Sequence, residues 1–134
     1  VGSTALENEI RETDGHGLEE LLVSTDRLVV AEFYMEECSA CRAMAPVLND
    51  LAREMSQEAV FVRIDGRTYL DTALRYGVVA TPTFLIFCRG TFLLDMVGVI
   101  HPALFRDAIR DMLAHRSECA GRPMTPPRDI SVYE

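Results

Sequence analysis

The sequence predicts an α/β fold in which a central mixed β-sheet is flanked by helices. Three observations carry that reading. Residues 28–35 and 60–64 are short, nearly continuous apolar runs, as expected of strands covered on both faces. Segments of helical period alternate with them, the pattern that builds parallel pairing through crossover helices. Residues 84–88 and 91–97 are two more strand-like runs joined by Arg89-Gly90, the spacing of an antiparallel hairpin, so the sheet is mixed. A length of 134 residues corresponds to about one domain, which can bury roughly two-thirds of its unfolded surface. An apolar fraction of 49% lets such a chain hold a core without cross-links.

The elements follow in order. Residues 8–12 read as a short edge strand. Thr13 or Asp14 caps a helix with Leu18, Leu21 and Leu22 on one face. The strand over 28–35 is interrupted only by Glu32. A helix runs from 39 to about 57, with Met44, Val47, Leu48, Leu51 and Met55 on its apolar stripe and a kink expected at Pro46. A second buried strand covers 60–64, and a short helix over 71–76 stops at Gly77. After the hairpin, residues 102–114 form an amphipathic helix through Leu104, Phe105, Ala108, Ile109 and Met112. Beyond His115 the chain loses periodicity and holds Pro123, Pro126 and Pro127. It therefore divides into a domain over 1–115 and a proline-containing tail over 116–134.

Charge and cysteine content narrow the function. Thirteen basic residues face 21 acidic ones, a net charge of -8 that repels phosphate backbones and makes nucleic acid an unexpected partner. Basic partners are mildly favoured. No apolar run reaches the ~20 residues of a membrane-spanning helix. Residues 1–11 lack the basic start and apolar middle of a secretory signal. The four cysteines are Cys38, Cys41, Cys88 and Cys119. A core this apolar has no need of a disulfide framework, so a cytoplasmic, reducing setting is expected.

Cys38-Ser39-Ala40-Cys41 follows a buried strand and opens a helix. Two intervening residues at a helix start can bring the sulfurs within bonding reach. Unpaired amides and the helix dipole stabilise a thiolate there, so Cys38 is the exposed attacker and Cys41 the deeper, resolving thiol. Two plainer readings stand beside this one. The pair could be half of a zinc site, although no second C-x-x-C supplies the other ligands. It could also be ordinary core packing. Cys88 at a strand end and Cys119 in the tail read as incidental thiols, and a disulfide between them would need the tail to fold back.

The segment VVAEFYMEECSACRAMAPVL over 29–48 resembles the active-site strand and helix of the thioredoxin family. YGVVATPTFLIFCRG over 76–90 resembles that family's cis-proline loop and hairpin, and Val97-Gly98 its small closing residue. The resemblance covers most of the chain, from about residue 5 to 115. It implies a thioredoxin fold and thiol–disulfide exchange. It implies a cis bond before Pro82, a Thr81 backbone that hydrogen-bonds an extended substrate beside the cysteines, and Gly98 closing that surface. Glu32 stands where the family usually has a buried aspartate, and burial there should raise its pKa enough to let it take the Cys41 proton. Arg63 matches a neighbouring lysine and competes, since a close cation would lower that pKa.

The pattern also departs from the family. Glu37 replaces the usual tryptophan before the first cysteine, with Glu36 preceding it, and Ser39-Ala40 replaces Gly-Pro. Two carboxylates oppose a Cys38 thiolate, whereas a Ser39 hydrogen bond would favour it. The activity implied is reduction of protein disulfides by a monomer that needs no metal or organic cofactor and is regenerated by a partner reductase. The alternatives are an oxidase or isomerase built the same way, and an adaptor whose cysteines are secondary.

Overall fold

A computed structural model describes residues 10–115 of the chain. The tail over 116–134, with Cys119, lies outside the described residues, as do residues 1–9. The elements run β1 (Ile10–Glu12), α1 (Gly15–Ser24), β2 (Leu28–Tyr34), α2 (Ser39–Glu54), β3 (Ala59–Asp65), α3 (Leu70–Arg75), β4 (Thr83–Cys88), β5 (Thr91–Val97) and α4 (Pro102–Ala114). The five strands form one sheet in the order β1-β3-β2-β4-β5. β1 and β2 run parallel to β3, while β4 is antiparallel to both β2 and β5. The mixed sheet and every expected element are present.

The sheet separates two apolar layers. Leu28 and Val30 point to one face with Met44, Leu48, Leu51, Phe61, Phe84, Phe105 and Ile109. Val29, Ala31 and Phe33 point to the other with Leu18, Leu22, Val62, Ala73 and Tyr76. Central strands buried on both faces must be apolar at every position, which is why β2 reads as an unbroken run. Glu32 lies on the α2 face, and among the described residues it is the one buried charged group, 3% exposed.

Local chemistry sets the boundaries. Asp14 caps α1, its carboxylate accepting from the Gly17 amide at 2.8 Å. Asp14→Ala is expected to cost about 1 kcal/mol in a urea melt; an unchanged midpoint would mean that water serves the cap equally well. α2 ends at Glu54, not near 57, because the Met55 carbonyl accepts from the Glu58 and Ala59 amides and turns the chain into β3. Pro46 sits inside α2 without ending it. Arg42 and Pro46 are both exposed, so water can reach the Arg42 carbonyl that the ring deprives of a donor. Arg89 and Gly90 both have positive φ, the backbone of a tight hairpin turn.

Candidate active site

The sheet gathers the predicted site at one end. β2 delivers the chain to Cys38 at its C-terminal end. β4 starts beside that end, since Phe33 pairs with Thr83. The Thr81-Pro82 bond just before β4 is cis. Thr83 in turn pairs with Val97, and the Gly98 amide donates to the Pro82 carbonyl at 2.9 Å. Cys38, Thr81, Pro82 and Gly98, drawn from three separated stretches of sequence, therefore share one edge of the molecule. Gly98 has φ +92°, a backbone that L side chains rarely adopt. The Thr83 hydroxyl braces the loop by donating to the Ala80 carbonyl at 2.6 Å. Thr81 makes no backbone–backbone hydrogen bond among the described residues, so its peptide groups are open to a passing strand.

Cys38 is the N-cap of α2 and is partly exposed, whereas Cys41 is 3% exposed. The two form a disulfide with their Cα atoms 5.2 Å apart. The Cys41 amide donates to Cys38 Sγ at 3.1 Å. The donor that favours a Cys38 thiolate is thus a backbone amide at the positive end of the helix. Ser39, which sequence reasoning offered for that task, has an exposed side chain. Glu36 and Glu37 are exposed, and Arg67 pairs with Glu37 at 3.1 Å, offsetting part of the negative charge beside the cysteine. Cys88 is not an incidental thiol: it is wholly buried and itself disulfide-bonded.

Glu32 lies beneath the first turns of α2. A cleft of about 190 Å³ brings it together with Ala45, Leu48 and Asn49 of that helix, Arg63 of β3, and Ile10 and Glu12 of β1. Ala45 and Leu48 follow Cys41 by four and seven residues, so they share its helix face. Arg63 Nε lies 3.4 Å from Glu32 Oε1, while Oε2 has no hydrogen-bond partner among the described residues. Burial dominates over this cation and pushes the Glu32 carboxyl up to about 7.

Sequence reasoning missed the rim of the site. Val79, Val97 and Val99 are 91%, 52% and 64% exposed around Thr81 and Gly98. Their proximity to Pro82 and Gly98 was the available signal.

Comparison with known proteins decides the family. The Thioredoxin family model matches residues 9–111. This chain belongs to the thioredoxin family. It is similar to thioredoxin of Echinococcus granulosus, 32% identical over 94 residues that span 70% of this chain and 86% of that one. It is also similar to chloroplastic thioredoxin Y1 of Arabidopsis thaliana, 35% identical over 72 residues, 54% of this chain but only 42% of that protein. Among solved structures, Fasciola hepatica thioredoxin shares 29% identity with a TM-score of 0.70, covering 75% of this chain and 97% of that one. A mutant thioredoxin from Halobacterium salinarum shares 27% identity with a TM-score of 0.71, covering 76% and 88%. With its C-x-x-C pair at disulfide distance, this thioredoxin-family chain is a thiol–disulfide oxidoreductase. Family membership implies disulfide-containing protein substrates and a reductase partner. No helix among the described residues is long and apolar enough to cross a membrane.

Proposed function

We propose that this thioredoxin-family protein acts as a reductant of protein disulfides, with Cys38 as nucleophile, Cys41 as resolving thiol and Glu32 as proton acceptor. The observation that carries this reading is the asymmetry of the pair. Cys38 is partly exposed and faces an amide donor at the helix start, while Cys41 is buried behind it. An extended substrate segment adds along the open Thr81 backbone next to cis-Pro82 and Gly98, its apolar side chains meeting Val79, Val97 and Val99.

The exchange proceeds in two displacements. The Cys38 thiolate attacks one sulfur of the substrate disulfide, forming a mixed disulfide and releasing the other sulfur as a thiolate. Cys41 passes its proton to the Glu32 carboxylate and attacks Cys38 Sγ. This closes the Cys38–Cys41 disulfide and releases the second substrate thiolate. Two electrons have moved to the substrate, and a reductase returns the pair to the dithiol. We place this cycle in the cytoplasm and assign it to a monomer.

Cys41→Ser is expected to trap mixed disulfides through Cys38, because no resolving thiol remains behind it. Mass spectrometry of the captured complexes would locate the link. Adducts at a cysteine other than Cys38, or none at all, would overturn the assignment of roles. A redox-buffer titration separates this reading from the oxidase and isomerase alternatives: a reductant has a potential near or below about -230 mV, whereas a potential near about -120 mV would identify an oxidant.

A further inference from the structure

The acid beneath the cysteines belongs to a larger constellation than the pair with Arg63. In the register of the sheet, Glu12 on β1, Arg63 on β3 and Glu32 on β2 lie side by side in one row. Tyr34 lies two residues beyond Glu32 on the same face of β2, opposite Asp65. The Arg63 guanidinium is stacked on Tyr34, its Cζ 3.7 Å from the ring centroid. The Tyr34 hydroxyl donates to Glu12 Oε2 at 2.5 Å. Burial and this carboxylate push the phenol's pKa up, so the hydroxyl stays protonated and donates.

A guanidinium beside a carboxylate frequently forms two parallel hydrogen bonds with it. Here that fork does not form. Arg63 Nε and Glu32 Oε2 both lack a hydrogen-bond partner among the described residues, although the two groups are in ion-pair contact. Stacking on the tyrosine fixes the plane of the guanidinium and so the direction in which its N–H edge points, here away from a two-bond fork with Glu32. No other charge replaces it: β4 sets Phe84 beside Glu32, and α2 contributes Ala45, Leu48 and the uncharged Asn49. The charged groups facing Glu32 are Arg63 and Glu12, with Asp65 one row further along.

We infer that Tyr34 and Glu12 form a clamp that limits Arg63 to a single, poorly aligned contact with Glu32 and so keeps the buried carboxyl able to accept a proton. Both are positioning residues: Tyr34 supplies the surface on which Arg63 lies, and Glu12 anchors the phenol and adds an opposing charge. The inference rests on the reading of Glu32 as the acceptor of the Cys41 proton.

The test is a carbon-13 NMR titration of the Glu32 carboxyl in the oxidised protein, run beside the pH profile of mixed-disulfide resolution in the reduced one. In Tyr34→Leu the midpoint is expected to fall from about 7 towards the ordinary 4.5, and Tyr34→Phe, which keeps the ring, should lie between. Glu12→Gln, at an exposed site, should also lower it without disturbing the fold. Arg63→Gln should raise the midpoint more in the Tyr34→Leu background than in wild type, because only there is the fork made. Equal effects of Arg63→Gln in both backgrounds, or an unmoved midpoint in Glu12→Gln, would overturn the clamp. A midpoint that moves while the rate profile stays fixed would support the clamp and remove Glu32 from the proton-acceptor role.

Discussion

Cys38→Ser is expected to abolish reduction of an accessible protein disulfide such as that of insulin, with dithiothreitol as electron source. The loss should be on the order of 10³-fold or more, down to the rate of dithiothreitol alone, because the hydroxyl is not ionised at neutral pH and cannot form the mixed disulfide. No other cysteine of the described fold can take over. Cys41 is buried behind the helix start. Cys88 is wholly buried and pairs with Leu28, at the opposite end of β2 from Cys38, roughly 20 Å away along the strand. The fold itself should survive, since serine is a good N-cap for α2. Turnover assays with a denaturant melt of the same protein check both halves. Wild-type activity in a folded Cys38→Ser protein would show that the nucleophile is elsewhere.

The parts of this molecule legible in its sequence are those controlled by short-range periodicity. β2 and β3 were visible because both their faces are buried, and α2 because its stripe recurs every three or four residues. The Arg89-Gly90 turn was visible because a two-residue gap ending in glycine separates two strand-like runs, although arginine is an uncommon residue for the positive φ found at Arg89. Thr81, Pro82 and Gly98 were assignable only through their resemblance to a known family, since nothing local says that residues 16 apart in sequence will meet. The misjudged features depend on contacts between distant residues. Tyr34 and Glu12, 22 positions apart, meet only because β1 and β2 both pair with β3. Arg67 reaches Glu37 only because the turns after β3 and β2 lie at the same end of the sheet. Whether Arg63 neutralises Glu32 was likewise a question of tertiary packing, and burial outweighs the cation in favour of a raised pKa.

Glu32→Gln is expected to remove a pH-dependent penalty from the fold while slowing the resolving step. In the folded protein burial raises this carboxyl from 4.5 to about 7 against the opposing pull of Arg63. In the unfolded chain it ionises near its ordinary value. Below that value both states hold the proton and the fold has its full stability from this group. As pH rises past it, the unfolded chain releases a proton that the folded protein still holds, and stability falls until the pH exceeds about 7. The total loss is on the order of 3 kcal/mol. Glutamine carries no such proton, so the difference between mutant and wild-type stability should grow across this window and favour the mutant at about pH 8. Arg63 does not reverse the sign. Its side chain is 33% exposed and stacked on Tyr34, so losing the carboxylate leaves a partly hydrated cation rather than a stranded one. Resolution of the mixed disulfide should slow because Cys41 loses its local acceptor, and the defect should shrink as rising pH ionises the thiol unaided. Urea melts of the oxidised proteins at a series of pH values, with a pH–rate profile, measure both effects. A mutant less stable than wild type at about pH 8, with an unshifted profile, would make Glu32 a structural partner of Arg63 and leave Cys41 to ionise by another route.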